Sequence, residues 1–315
     1  MEGIFFPGWG ISFTKVLRDF TIFGLSIKFY AIIITLGFIF ATIISRREAR
    51  LSNQNPEDYL DFVLAMVIPV IVGARLYYVI FNHENFFGNG KTVGQTIWAI
   101  INLRSGGLAV YGGLIAGTIT AIIFAKKKKM TMPLMWDTVS MGVLFGQMLG
   151  RWGNFFNREC FGGYSNGFFR MAIPYDYFEV QGSAQYYINS GVITQEMLDN
   201  MEIVNGIHCI TVHPTFLYEG MLNLLVIIFI LIYRRHKKFD GEVGLIYMMG
   251  YGICRFIVEA MRTDSLMIGP FKISQVVALV CIVLAAVLLI YNRKRIADGH
   301  EPKLHPIVKQ EPIKR

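Results

Sequence analysis

The run Gly150-Arg151-Trp152-Gly153-Asn154-Phe155-Phe156-Asn157-Arg158-Glu159 sets two arginines, two asparagines and a glutamate at the end of an apolar stretch. An ionisable group near hydrocarbon costs roughly 3 kcal/mol or more unless it is paired, hydrated or bound. So dense a cluster points to a polar ligand held at membrane depth. Further on, Tyr251, Arg255 and Glu259 fall at i, i+4 and i+8, on one face of a helix, with Arg262 a turn later. Glu259 can pair with Arg255 and hold its fork, while Arg255 and Arg262 against one glutamate leave positive charge in excess. Together with Arg151 and Arg158 this makes a cationic site of the kind that grips phosphate through planar, bidentate donors. A purely structural ion pair is the plainer alternative.

Other polar groups stand inside apolar runs. Arg75 and Glu219 sit deep enough to be site candidates, with a buried bridge from Arg75 to a carboxylate equally open; Asn223 follows Glu219 by one turn. Asp61 and Asp137, near helix ends, read as interface or capping residues. Tyr30 fits a site or an ordinary interfacial aromatic. The stretch from Arg104 through Ser105, Gly106, Gly107 and Tyr111 to Gly112 and Gly113 carries two Gly-Gly pairs. Glycines 113 and 117 form a small stripe for close helix contact. The pairs themselves serve either packing or the approach of an anion or lipid glycerol to bare backbone amides.

What must position these residues is a set of membrane helices. The chain is 54% hydrophobic and only 17% charged, against roughly 25% charged in soluble domains. Seven apolar runs are long enough to cross about 30 Å of hydrocarbon: 24–44, 59–81, 106–125, 132–150, 215–233, 243–261 and 271–291. Basic residues follow alternate runs, at 46–50, 126–129, 234–238 and 293–295. By the positive-inside rule those ends are cytoplasmic, so the amino terminus lies outside and the carboxyl terminus inside.

The organisation expected is therefore an all-α polytopic membrane protein of seven transmembrane helices with a small α+β extracytoplasmic head. Its parts are an interfacial segment 1–23, helices one to four in 24–150 with an outer arm 82–105, a motif loop and head 151–214, helices five to seven in 215–291 and a tail 292–315. Phe5, Phe6, Trp9 and Phe13, interleaved with Arg18 and Asp19, suit a short helix lying in the interface. A second interfacial piece is expected around Trp98. Within the head, 168–173 and 203–212 read as strands and 194–201 as helix. With Glu2 and no basic run, the start does not resemble a cleavable signal peptide, so the first span should remain.

Several functions are excluded or disfavoured. The net charge of +8 is mostly topology and attraction to anionic lipid, and no nucleic-acid partner is implied. Cys160, Cys209, Cys254 and Cys281 lack metal-site spacing; Cys160 and Cys209 share the outer side and could pair, with free thiols favoured. There is no Gly-rich nucleotide loop, paired-histidine zinc motif or nucleophile elbow, so no cofactor is expected.

Taken together, the chain resembles the prolipoprotein diacylglyceryl transferase family. The resemblance rests on the 150–159 motif, on His213-Pro214-Thr215-Phe216-Leu217-Tyr218-Glu219, on Arg255-Phe256-Ile257-Val258-Glu259 with Arg262, and on the double Gly-Gly stretch, in family order and spacing from Phe6 to Tyr291. It implies a bacterial plasma-membrane enzyme, its active site toward the outer leaflet. Such an enzyme moves the diacylglyceryl group of phosphatidylglycerol onto the lipobox cysteine of a preprolipoprotein and releases glycerol phosphate. Arg255 then matches the catalytic arginine and Arg151 with Asn154 the essential pair for the lipid headgroup. Glu259 would orient Arg255, Asn157, Glu159 and Arg262 would shape the headgroup pocket, and Tyr30 and Tyr251 match tyrosines near the site. Arg75, Glu219 and glycines 106, 107, 112 and 113 are carried over as substrate-binding.

One residue departs from the family pattern: many members carry histidine, proposed as the base, where this chain has Tyr111. A phenol is a poor base near neutral pH unless cations lower its pKa. Either Tyr111 acts as such a phenolate, or the thiol is activated elsewhere, or arginine electrostatics suffice. A seven-span anion transporter or channel is the principal alternative, disfavoured by the apolar inner halves of the spans. A metal-dependent phosphatidyltransferase would need an acidic cluster that the sequence lacks.

Overall fold

The apolar runs fold as long helices whose ends are fixed by local chemistry. The computed structural model describes residues 3–87, 90, 92–103, 106–182 and 184–307. Arg104 and Ser105, which open the double-glycine stretch, and residues 308–315 of the expected tail lie outside the described residues. Among the described residues six helices are long and apolar enough to cross a membrane by length and composition: α1 (Phe29–Leu51), α2 (Pro56–Phe81), α4 (Val110–Lys127), α9 (Thr215–Tyr233, with a further turn to His236), α10 (Glu242–Met261) and α11 (Ile273–Ala297). Their outer faces leave Leu64, Ile68, Val280 and Ile290 exposed, as a multi-pass membrane protein requires.

The seventh expected span, α5 (Met132–Asn157), is not among those six. It packs against α1, α9 and α10 and buries Asp137, Thr138, Ser140 and Asn154, polar residues that lower its hydropathy. A Cβ on its Gly142 would stand 2.4 Å from the Ala41 carbonyl oxygen of α1, so the two backbones approach as only glycine allows.

Basic residues at alternate helix ends gather at one end of the bundle, where ion pairs join the elements. Arg46 of α1 meets Glu57 of α2, Lys128 after α4 meets Asp58 and Asp61 of α2, and Arg234 after α9 meets Glu48 of α1. Asp137 accepts from the Gly241 and Gly244 amides at 2.9 Å and pairs with Lys237 at 3.0 Å. It caps the amino end of α10 from α5, the capping role expected for it. Beyond α11 the chain turns back, and His305 donates its amide to Asp240 Oδ1 at 2.9 Å. Burial pushes the Asp240 carboxyl up, but the His305 amide and ring and the Lys237 ammonium outweigh it and hold the group below its ordinary range.

At the other end stands a five-stranded antiparallel sheet, in the order β2 (Ile11–Phe13), β1 (Ile4–Phe6), β5 (Met171–Pro174), β7 (Ile207–Val212), β6 (Glu202–Val204). The helix expected near the amino terminus is thus strand and turn: Phe5 pairs with Ala172, a long-range partner that local aromatic spacing could not reveal. Short helices α6 (Tyr175–Gly182), α7 (Ala184–Asn189) and α8 (Gln195–Asp199) accompany the sheet. Ile4, Phe6, Phe155, Phe161, Phe178, Ile210 and Phe216 share one buried apolar cluster. The hairpin β3 (Asp19–Ile22) to β4 (Leu25–Lys28) occupies the expected start of the first span, turning at Phe23 and Gly24 with φ of 50° and 77°. A smaller hairpin, β8 (Met267–Ile268) to β9 (Phe271–Lys272), precedes α11 in the same way.

The segment expected as an outer arm holds α3 (Val93–Ile101), begun by a capping box between Thr92 and Gln95. Val93, Ile97, Trp98 and Ile101 are exposed along it, the composition of an interfacial helix.

Candidate active site

Three motifs, distant in sequence, meet where α5, α9 and α10 end beside the sheet. The 150–159 motif is helical to Asn157, not a loop, and Arg158 closes α5 in the left-handed region at φ 51°, ψ 45°. Glu159 then folds back and accepts from the Asn154 and Asn157 amides at 3.0 and 3.1 Å. Arg151 and Asn154, three residues apart on α5, thus face the same region. Tyr30, early in α1, lies against Gly153, where a Cβ would stand 2.6 Å from its ring, and within electrostatic reach of Glu159, Cys160 and Arg151.

Segment 160–163 ties the motifs together. The Gly162 amide donates to the His213 carbonyl at 2.9 Å, the Gly163 amide to the Met261 carbonyl at 3.0 Å, and Thr215 Oγ1 to the Cys160 carbonyl. A Cβ on Gly162 would come within 2.8 Å of His213 Cβ and 3.0 Å of Met261 O, so glycine is required where these backbones converge. Gly162 falls in the stretch expected to belong to the head, and the Gly162-Gly163 pair is the one sequence signal of this junction. His213 Nδ1 stands 3.3 Å from the Tyr218 hydroxyl, and burial holds its imidazole below the usual range, neutral at pH 7.

The charged groups form one alternating chain. Arg151 Nη2 lies 2.7 Å from Glu219 Oε1; Glu219 Oε2 lies 3.3 Å from Arg255 Nη1; Arg255 Nη2 lies 2.6 Å from Glu259 Oε2. Arg262 continues it, 3.9 Å from Glu259 and donating to both oxygens of Asp264 at 2.9 and 3.0 Å. The i, i+4 pair of Arg255 and Glu259 expected from helical spacing is therefore present. Tyr251, one turn before Arg255, lies beside Arg151 and stacks on Tyr247. Ser274 of α11 accepts from Arg255 at 3.4 Å, and Lys272 donates to the Glu259 and Arg262 carbonyls at 2.8 and 2.7 Å, capping α10. Neither Ser274 nor Lys272 was legible as a site neighbour, since Lys272 ends a hairpin and Ser274 lies just beyond it. Asn223, one turn inward of Glu219, is fully buried with neither amide atom hydrogen-bonded among the described residues.

Two expectations are corrected. The excess of positive charge is cancelled within the chain of contacts: Arg151, Arg255 and Arg262 face Glu219, Glu259 and Asp264. Two of those carboxylates come from other elements, which spacing along α10 could not disclose. Arg158, counted with the cationic site, turns away into the sheet unit. It is 3% exposed, donates to the Val16 carbonyl at 2.8 Å and lies 4.4 Å over the Tyr177 ring.

Arg75 belongs to a separate arrangement. Its guanidinium donates to the carbonyls of Ala99, Ile100, Asn102, Gly106 and Gly107, capping α3 and holding the turn into α4. Among the described residues it pairs with these carbonyls, not with a carboxylate. Gly106 and Gly107 adopt φ of 79° and 80°. Gly112 packs against Gly73, whose carbonyl oxygen would stand 2.3 Å from a Cβ, and Gly113 packs on Val70. Tyr111, half-buried in the first turn of α4, makes no hydrogen bond or ion pair among the described residues with the arginine chain. Structure thus joins Arg151, Asn154, Asn157, Glu159, Tyr30, Tyr251, Glu219, Arg255, Glu259 and Arg262. It sets Arg75, Tyr111 and glycines 106, 107, 112 and 113 in the neighbouring α2–α4 unit.

Cys160 sits beside this chain. Asn154 Nδ2 approaches its sulfur at 3.6 Å, and burial pushes the thiol up to about 11 despite Arg262 and Arg151 nearby. Cys160 and Cys209 are both free. Among the described residues no group of three His, Cys, Asp or Glu side chains converges to hold a metal.

The family model described as prolipoprotein diacylglyceryl transferase matches residues 19–291. The chain is 36% identical over 283 residues to a protein of Finegoldia magna named phosphatidylglycerol–prolipoprotein diacylglyceryl transferase, covering 90% of this chain and 98% of that one. Proteins of the same name from Clostridioides difficile (34% over 276 residues; 88% and 95% covered) and Listeria welshimeri (35% over 290 residues; 91% and 94%) are similarly close.

Proposed function

The chain belongs to the prolipoprotein diacylglyceryl transferase family, and from that premise we propose that it transfers the diacylglyceryl group of phosphatidylglycerol to the lipobox cysteine of preprolipoproteins. The relatives' shared name is that of a transferase, which leaves the anion-transporter reading without support. The observation that carries the proposal is the junction of Arg151 on α5 and Arg255 on α10 through the buried Glu219, two half-buried guanidiniums from different helices at the sheet end of the bundle.

In the reaction the thiol sulfur attacks the glyceryl carbon that bears the phosphate. A carbon–sulfur bond forms, the carbon–oxygen bond breaks with its electron pair passing to the departing glycerol phosphate, and the thiol proton passes through water to that phosphate or to bulk solvent. The departing phosphate gains negative charge, which fixed guanidiniums stabilise without reorganising. Arg255, braced by Glu259 and Ser274, faces the scissile phosphate; Arg151, with Asn154, binds the headgroup. Asn157 and Glu159 fix the turn beyond α5, and Arg262, Tyr30 and Tyr251 wall the pocket. No base contact is assigned to Tyr111.

We read α5 as a seventh span, because its 26 residues reach about 39 Å at 1.5 Å per residue. The basic helix ends, gathered at one end of the bundle, support an orientation with that end cytoplasmic. The sheet unit and the arginine chain then face the outer leaflet of a bacterial plasma membrane, where lipid and signal peptide are both presented.

The test is direct. Purified protein, phosphatidylglycerol and a lipobox peptide are incubated together, and the peptide is examined for the diacylglyceryl mass on its cysteine. Modification dependent on phosphatidylglycerol is expected; none with any lipid overturns the proposal.

A further inference from the structure

Glu219 lies on α9 with its side chain 1% exposed, yet it reaches arginines on two other helices. A carboxylate so deeply buried persists only if its charge is compensated. Here the two guanidiniums compensate it, and it in turn removes their mutual repulsion and sets their separation. The two contacts differ in kind. Arg255 Nη1 donates to Oε2 along a hydrogen-bond axis at 3.3 Å. Among the described residues Oε1 has no aligned donor, although Arg151 Nη2 is 2.7 Å away. That contact is one of charge, and the fork of Arg151 is not spent on it. A carboxylate and a phosphodiester each offer a guanidinium two acceptor oxygens, so the carboxylate holds Arg151 and Arg255 in a spacing that also suits phosphate.

We propose that Glu219 is a positioning residue of the transfer reaction. It presets Arg151 and Arg255 before lipid arrives, then gives up its contact with Arg151 to the lipid phosphate while keeping Arg255 in place. This rests on the transferase reading above. Two consequences oppose one another. As an anion Glu219 competes with the lipid for Arg151, which weakens ground-state binding. As a brace it keeps Arg255 aligned where charge develops, which raises turnover.

The experiment measures kcat and KM for phosphatidylglycerol, with a lipobox peptide, in the parent, Glu219→Gln and Glu219→Asp. Glutamine keeps shape but removes the charge: kcat should fall by about ten-fold or more while KM stays level or drops. Aspartate keeps the charge on a shorter arm: KM should match the parent and kcat should lie between the other two. A raised KM at parental kcat would make Glu219 a headgroup ligand and overturn the proposal, as would parental values of both constants. If the glutamine variant does not fold, the aspartate variant decides: lowered kcat at unchanged KM supports positioning, and parental kinetics refute it. Failure of the parent itself to modify the peptide would instead strike the transferase reading.

Discussion

Arg75 donates to the Gly107 carbonyl at 2.7 Å, and a Cβ on Gly107 would lie 2.7 Å from the same guanidinium nitrogen. The arginine and the glycine specify one another: the left-handed turn offers its carbonyl only because nothing projects between them. With five carbonyls on one guanidinium, Arg75 is the joint between α3, α2 and the start of α4.

Replacing Arg75 by lysine keeps the charge but offers three donors in place of five. We expect a loss of about 3 kcal/mol or more, since buried carbonyls are left without partners. The melting temperature in detergent should fall, and amides of α3 and of the turn at Gly106 and Gly107 should exchange faster with deuterium than those of α9 and α10.

Gly112→Ala tests the helix contact without touching charge. Its added Cβ would stand 2.3 Å from a backbone oxygen of Gly73, which cannot move like a side-chain tip. Overpacking of this kind costs about 1–3 kcal/mol, so the variant should be less stable to heat. Unchanged melting would mean that α2 and α4 separate freely.

Arg151→Ala and Arg255→Ala should each lower peptide modification by about 100-fold or more, the scale expected when a fixed donor to developing charge is removed. Each also leaves Glu219 with a single partner, so folded yield is measured beside activity. An active, well-folded Arg255→Ala protein would remove that residue from the phosphate.

Tyr111→Phe should leave turnover within about three-fold of the parent, less than the loss typical of removing a general base. Among the described residues its hydroxyl makes no hydrogen bond to the arginine chain, and α4 packs on α2. A hundred-fold loss would restore the phenolate to the reaction.

Cys160 should resist alkylation. With its thiol near 11, it carries about a hundredth of the thiolate of an ordinary cysteine at pH 8. Mass-spectrometric mapping after iodoacetamide should find its labelling rising about ten-fold per pH unit between 8 and 10.

The sequence made some of this plain and hid the rest for definite reasons. Apolar runs marked six of the helices because lipid-facing residues must be apolar all along a span, and α10 disclosed its Arg255–Glu259 pair because helical spacing is local. Glu219 looked like an isolated carboxylate because both its partners lie on other helices. Arg158 looked like Arg151 because seven residues return a helix to nearly the same face; the left-handed residue that ends α5 sends it elsewhere. The place of the first strand was hidden because it joins the sheet through Phe5 and Ala172, more than 150 residues apart.

The burial of Arg158 has a mechanical consequence. Its guanidinium is anchored to Val16 and Tyr177, and the Tyr177 hydroxyl donates to the Asn157 carbonyl at 2.9 Å. The last turn of α5 is therefore bolted to the sheet unit from two directions. Arg151 and Asn154 lie on the same helix within the two turns before this anchor, so the placement of both is tied to the sheet unit.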